Sequence, residues 1–262
     1  MQSVAVKLPL SREPQLPCQE DLQAIALLLD VDGTILDMAS TPDSVAVPRS
    51  LCCSLRVLHA RSGGALGLVS GRLIRDLDKL FAPLRLPAIG GHGAEMRLSG
   101  DHITQTRHDA TVDAALRDLI AASMAFDRRI IVEDKRSSLS VHYRLIPWLE
   151  QALKTRIATT VARSGVKDVE IMHGKDVVEI KSTRFNKGSA VRVMMKSAPF
   201  ARRNPVFVGD DTTDASVFSV LAPLGGIGYS VERSIAGAIW TFDSPTEVRH
   251  WLATLCGRHG RQ

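Results

Sequence analysis

Carboxylates that end an apolar run can attack an electrophile, move a proton or hold a cation, and this chain has two such ends. Residues 24–29 are uninterruptedly apolar and break at Asp30-Val31-Asp32-Gly33. That is the pattern of a buried parallel strand opening into a polar loop. Residues 205–208 break in the same way at Gly209-Asp210-Asp211, with Asp214 three positions further on. Left uncompensated, these carboxylates would repel one another, and a hard divalent cation with oxygen ligands is the simple remedy, which implies Mg²⁺ as cofactor. Asp30 is then fit to attack phosphorus, provided that the metal and Lys187 offset the repulsion between carboxylate and phosphate. Two residues into the loop, Asp32 is suited to protonate a departing oxygen and afterwards to take a proton from water. Gly33 permits the tight turn, while the Ser70 hydroxyl and loop N–H groups are candidates to bind phosphoryl oxygens.

The elements that must hold these residues alternate between strand and helix. Residues 65–69 run into Ser70-Gly71-Arg72, and residues 87–89 into Gly90-Gly91-His92-Gly93. Helical stretches are expected near residues 50–61, 73–81 and 187–196. Strand–helix alternation of this kind predicts an α/β fold, a doubly wound parallel sheet whose strand ends converge on one edge. Between about residues 108 and 182 the rhythm changes to an α+β insert. Its strands are expected at 129–135, 138–144, 169–173 and 176–181, with a hairpin turn at His173-Gly174-Lys175. The division is thus a discontinuous core over residues 20–106 and 184–258, and an inserted unit over 107–183. Ser244-Pro245-Thr246-Glu247 reads as the capped start of a terminal helix.

Composition narrows the function classes. Of 262 residues, 45% are hydrophobic and 23% charged, enough apolar material for a sizeable core. The net charge of +5 arises from 33 basic and 28 acidic residues that are interspersed along the chain. No basic block or zinc-finger spacing accompanies it, so nucleic acid is not an expected partner, and a small anionic substrate accounts for the charge. Cys18, Cys52, Cys53 and Cys256 have neither metal-ligand spacing nor a disulfide framework, which suits reduced thiols in the cytoplasm. Residues 1–17 offer no uninterrupted apolar stretch for a signal peptide, and no later run is long enough to span a bilayer. Nothing in the sequence sets an oligomeric state, and a monomer is compatible with it.

In order along the chain, Asp30-Val31-Asp32-Gly33-Thr34, Val69-Ser70-Gly71-Arg72, Asn186-Lys187-Gly188 and Gly209-Asp210-Asp211-Thr212-Thr213-Asp214 resemble the four motifs of the haloacid dehalogenase (HAD) superfamily. The resemblance implies a Rossmann-like core with Asp30, Asp32, Ser70 and Lys187 as catalytic residues. It further implies that Asp30, the Asp32 carbonyl and Asp210 ligate Mg²⁺, with Asp211 and Asp214 assisting from the acidic loop. Within the superfamily, Gly91-His92-Gly93-Ala94-Glu95, Glu133-Asp134-Lys135, Val141-His142-Tyr143-Arg144 and the segment from Gly174 to Lys181 are similar to signatures of trehalose-6-phosphate phosphatases. That likeness extends over about residues 24–252. It implies an αββαββ cap of the C2 type, trehalose 6-phosphate as substrate and an activity in trehalose biosynthesis. Glu133, Lys135, Lys175 and Glu179 would then bind glucosyl hydroxyls, with Gly33, Arg72, His92 and Glu95 also among the substrate contacts.

Strand alternation independently puts Glu133 with Lys135, and Lys175 with Glu179 and Lys181, on one face each. The same alternation would also suit a solvated, salt-bridged sheet face, and His142 reads more simply as a paired histidine than as a ligand. This sequence also departs from the family in detail: Ser182 stands where the family often has proline, and Ile35-Leu36-Asp37 replaces its more usual sequence after Thr34. Two other readings share the motifs, namely a phosphatase for sucrose- or mannosylglycerate-type phosphate esters, and a catalytically silent sugar-phosphate sensor or synthase partner. Intact Asp30, Asp32, Lys187 and Asp210 argue against the silent one.

Overall fold

Apolar runs that end at charged loops become the centre of an eight-stranded sheet. The computed structural model describes residues 16–38, 45–99, 105–106, 111–135, 137–174 and 176–257. Strand β1 (Ile25–Leu29) is buried throughout and lies between β2 (Leu66–Val69) and β10 (Asn204–Gly209). Beyond β2 come β3 (Ala88–Gly90), β4 (Glu95–Arg97) and β5 (Gln105–Thr106); beyond β10 come β11 (Ile227–Val231) and β12 (Trp240–Phe242). The pairs from β12 across to β3 are parallel, whereas β4 and β5 are antiparallel. The expected parallel sheet thus gains two antiparallel strands at this edge for a physical reason: only Gly91 to Ala94 separate β3 from β4, too few residues for the crossover that parallel strands need.

Two helical layers cover the sheet. On one side pack α1 (Arg49–Arg61), α2 (Ile74–Leu80) and α7 (Pro245–Leu255); on the other pack α5 (Lys187–Met194) and α6 (Ala215–Leu221). Alternate residues of β1 serve the two layers. Leu27 and Leu29 join Leu51, Leu55, Leu58 and Leu252, while Ala26 and Leu28 join Val191, Met194, Val217 and Phe218. Each such leucine contributes about 2 kcal/mol by leaving water, so β1 is anchored on both faces and its C-terminal end is held still. Ser244 caps α7 by accepting from Glu247 N–H, with Pro245 in the first turn. The Glu247 carboxylate accepts from Asp243 N–H one residue before the cap.

The insert forms a second, four-stranded antiparallel sheet in the order β6 (Ile131–Asp134), β7 (Ser138–His142), β9 (Val177–Ser182), β8 (Val169–Gly174). Helices α3 (Ala114–Met124) and α4 (Glu150–Ser164) cover one face, burying Leu116, Ile120, Leu153 and Ile157 against Leu139, Val141, Val178 and Ile180. Alternation therefore sends Glu133, Ser138, Ser140, His142, Glu179 and Lys181 to the opposite face. The hairpin lies later than the expected His173-Gly174-Lys175. His173 and Gly174 are still paired strand residues, Gly174 with Val177, and Asp176 takes a left-handed φ of 59°. All four cysteines are free, and no helix among the described residues is long and apolar enough to cross a membrane.

Candidate active site

Asp30 continues directly from β1, its N–H donating to Val208 carbonyl (2.9 Å) beside the end of β10. Its side chain is buried, and there it meets the N-terminus of α5. The Lys187 ammonium lies 2.7 Å from Asp30 Oδ1 and 2.7 Å from Asp214 Oδ1. Lys187 is aimed by its own helix cap, since the Asn186 side chain accepts from Ser189 N–H (2.8 Å) while Ser189 Oγ accepts from Asn186 N–H (3.1 Å). Thr34, fully buried, has its hydroxyl 2.9 Å from Asp210 Oδ1 and 3.2 Å from Asp30 Oδ2. Gly33 at φ 81° makes room for this convergence. A Cβ there would fall 2.3 Å from Asp210 Oδ2, so any other residue would expel that carboxylate.

The result is three carboxylates around one ammonium. Oxygens of Asp30, Asp210 and Asp214 lie within 4.8 Å of one another. Burial, opposed by Lys187 but reinforced by Asp214 and Asp210, pushes Asp30 well above the usual carboxylate range. Burial and the charge of Asp214 raise Asp210 to about 6. For Lys187, burial works against the charge, but Asp214 and Asp30 outweigh it and hold the ammonium protonated. One cation against three carboxylates leaves negative charge unbalanced in a low-dielectric site, and all the donors are hard oxygens. This is a donor set that fits a divalent cation such as Mg²⁺. Lys187 holds Oδ1 of both Asp30 and Asp214, and Asp214 Oδ2 accepts from Asp211 N–H (3.1 Å), so Asp210 is the one carboxylate of the three that Lys187 does not hold.

Several expected site residues sit differently from expectation. Asp211 is not part of the carboxylate cluster. Its side chain caps its own loop at Thr212 N–H (2.6 Å) and meets Arg233 (2.8 Å). Burial opposes its charge, yet the Thr212 hydrogen bond, Lys187 and Arg233 together lower its pKa. Glu95, expected among the substrate contacts, has its Oε2 accepting from Ile74 N–H (2.8 Å), where it supplies the cap that α2 otherwise lacks, since its N-cap residue is Leu73. Asp32 keeps its carboxylate outside the cluster in a forked ion pair with Arg72, Nε to Oδ2 and Nη2 to Oδ1, both 2.7 Å. Arg72, expected to face substrate, thus engages the candidate acid. Ser70 is buried at the end of β2, its hydroxyl accepting from Arg72 N–H (3.1 Å).

On the small sheet, register brings Glu133, Ser140, Glu179 and Met172 into one row. His142 Nε2 lies 3.2 Å from Glu133, and Lys135 Nζ 3.7 Å from it. The His142 hydrogen bond leads in lowering the Glu133 pKa, with burial opposing and Lys135 assisting. Glu179 Oε1 accepts from Ser138 Oγ (2.6 Å), and Oε2 lies 3.2 Å from His92 Nε2 of the large sheet's loop. Burial works against the Glu179 charge, but His92, Lys135 and Ser138 hold it down at about 2. Lys181 is buried and paired with Glu170 (2.5 Å). Lys175 lies outside the described residues.

Three residues that frame the site went unassigned in the sequence. Thr34 stands inside the first motif, and its small hydroxyl between two acidic segments was the available signal. Ser138 and Arg233 offered none. The Arg233 guanidinium donates to Asp210 carbonyl (2.7 Å) and to Asp211, strapping the acidic loop from β11.

Comparison with known proteins gives this geometry a family. The profile of the family described as Trehalose-phosphatase matches residues 28–238. A probable trehalose-phosphate phosphatase from Sinorhizobium fredii is 41% identical over 90% of this chain and 89% of its own, and the trehalose-6-phosphate phosphatase of Escherichia coli is 36% identical over 94% and 90%. Among solved structures, the C-terminal domain of a Candida albicans trehalose-6-phosphate phosphatase superposes with a TM-score of 0.76 at 21% identity, covering 92% of this chain and 94% of that one. Its likeness speaks for the fold, a HAD-type core with a cap. With the profile spanning every residue from Asp30 to Asp214 and two bacterial relatives aligned along most of their length, this chain belongs to the trehalose-phosphatase family.

Proposed function

We propose that the chain hydrolyses trehalose 6-phosphate to trehalose and phosphate, with Asp30 as the nucleophile and Mg²⁺ bound beside it. The observation that carries the reading is the buried Asp30–Lys187–Asp214 array beside Asp210, within a chain of this family. Asp30 and Asp210 would hold the cation, together with the Asp32 carbonyl that the HAD motif implies. When bound, Mg²⁺ neutralises the crowded carboxylates and the phosphoryl oxygens. Lys187 fixes the Asp30 carboxylate and balances part of the charge that arrives with phosphate. Asp30 attacks phosphorus, the sugar oxygen leaves, and an aspartyl phosphate results that water then hydrolyses.

Asp32 gives a proton to the leaving sugar oxygen and later takes one from the attacking water. Both of its oxygens accept from Arg72, so to act as the acid Asp32 must first part from Arg72 and take up a proton from solvent, and once it has given that proton to the sugar oxygen it is the carboxylate that serves as base toward water. Ser70 and the N–H groups of its loop bind phosphoryl oxygens. The small sheet acts as a cap over residues 107–183, with Glu133, Lys135, Lys175 and Glu179 taking glucosyl hydroxyls. A charged face turned away from the α3–α4 layer supports that role.

The test is Asp30→Asn in the purified protein with trehalose 6-phosphate and Mg²⁺. Turnover should vanish while the circular dichroism spectrum is unchanged, and acid-quenched wild-type enzyme should carry a phosphate adduct at Asp30. Near-normal phosphate release by the variant would exclude Asp30 as nucleophile.

A further inference from the structure

The loop between β3 and β4 touches the Ser70–Arg72 loop, the start of α5 and the small sheet. Gly91, His92 and Gly93 all have positive φ, 54°, 56° and 109°, and His92 is the one non-glycine residue among them. An L-residue in the left-handed region is strained, and strain of this kind persists where a side chain has a task. The His92 side chain is 10% exposed. On one side its ring lies against the backbone of Gly71, where a Cβ would fall 2.4 Å from Nε2 and 2.5 Å from Cε1. His92 N–H donates to Ser70 carbonyl (3.1 Å), and Gly91 N–H to Arg72 carbonyl (2.8 Å). On the other side Nε2 meets Glu179 of the small sheet at 3.2 Å. Since Glu179 is ionised at neutral pH and accepts only, Nε2 is the donor.

Neighbouring positions extend the same contact. A Cβ on Gly91 would meet Ser137 Oγ of the small sheet's loop at 3.1 Å, and one on Gly93 would strike the Asn186 carbonyl at 2.6 Å. Asn186 is the cap that aims Lys187. Four residues of chain therefore join the Ser70–Arg72 loop, the start of α5 and the seated small sheet.

We propose that His92 is a positioning residue that couples seating of the small sheet, through Glu179, to the order of the Ser70–Arg72 loop and of Lys187, rather than a ligand of the sugar. Seating the sheet locks the His92 ring over Gly71, and the ring holds Ser70 and Arg72 where phosphoryl binding and Asp32 need them. The inference rests on the functional reading given above for its kinetic arm alone.

The test compares wild type, His92→Leu, His92→Gln, Glu179→Met and the double variant H92L/E179M. His92→Leu should lower kcat on trehalose 6-phosphate by about tenfold to a hundredfold with KM changed less than threefold or so, the scale expected when reacting groups are misplaced. An aryl phosphate should suffer a similar loss. His92→Gln, which retains an N–H donor, should recover much of the activity, and H92L/E179M should be no worse than Glu179→Met alone. In the substrate-free protein, His92→Leu should speed amide hydrogen exchange both in residues 70–72 and in β7 and β9. A raised KM with unchanged kcat would make His92 a sugar ligand, additive losses would remove the coupling to Glu179, and unchanged exchange in the 70–72 loop would overturn the proposal. If His92→Leu folds poorly, Gly71→Ala puts a methyl group into the ring's place and makes the same predictions. Should the wild type release no phosphate from trehalose 6-phosphate, the functional reading fails, and the exchange measurement still decides the coupling.

Discussion

Asp210 and Asp211 are adjacent in the chain and opposite in circumstance. Asp210 is crowded against Asp30, with Gly33 and Thr34 making space for it, whereas Asp211 faces Arg233 and its own loop. Metal affinity should divide accordingly. Asp210→Asn should raise the Mg²⁺ concentration for half-maximal stabilisation in thermal melts by about tenfold or more, because it removes a charged oxygen from the cluster. Asp211→Asn should shift it far less. Equal effects from the two variants would return Asp211 to the metal site. The sequence could nominate both residues, since each follows an apolar run, but only the loop's path decides which carboxylate turns inward. Partners such as Arg72 for Asp32, 40 residues away, and Arg233 for Asp211, 22 away, were hidden for a related reason. Long side chains find their acids through the tertiary fold, and neither spacing nor local composition encodes such meetings.

Elements were legible where local signals agreed. β1 reads as a strand because its apolar run is unbroken, and α5 starts at Lys187 because Asn186 and Ser189 form a capping box, so the site's lysine could be placed before its partners were known. The start of α2 shows the opposite case. Leu73 cannot cap, and the missing acceptor comes from Glu95, 21 residues onward on β4. Along the chain alone, the motif that holds Glu95 points to the substrate, and nothing local shows that Ile74 needs it. Glu95→Ala should cost about 1 kcal/mol of stability, the usual worth of a helix cap, seen as a lower melting temperature. The ratio of trehalose 6-phosphate to aryl phosphate hydrolysis should stay the same. A change in that ratio without loss of stability would restore Glu95 to the sugar site.

Among the described residues the molecule is built on two sheets, and His92 meets Glu179 between them at 3.2 Å. Glu179 is held at about 2 against an ordinary 4.5, so its contribution to stability is fully present above about pH 4.5 and is lost as pH falls toward 2. Linkage puts that contribution on the order of 3 kcal/mol. Acid unfolding of the wild type should therefore steepen below pH 4.5, and Glu179→Gln should flatten that limb in urea titrations at stepped pH. An unchanged limb would mean that another carboxylate carries the acid sensitivity. The strand–helix alternation and the αββαββ insert could be anticipated from periodicity, but the way the insert meets the core could not, because it turns on a left-handed histidine between two glycines. Both units have one purpose in this account, which is to hold a disaccharide phosphate with its phosphoryl group on Asp30. The decisive measurement is phosphate release by the purified protein in Mg²⁺ from trehalose 6-phosphate and from glucose 6-phosphate at equal concentration. Glucose 6-phosphate lacks the second glucosyl unit, so Glu133, Lys135 and Glu179 would keep only their protein partners and the binding energy of that sugar would be lost to the reaction; trehalose 6-phosphate should therefore be hydrolysed at least about a hundredfold faster, and equal rates on the two sugars, or no release from either, would contradict the account.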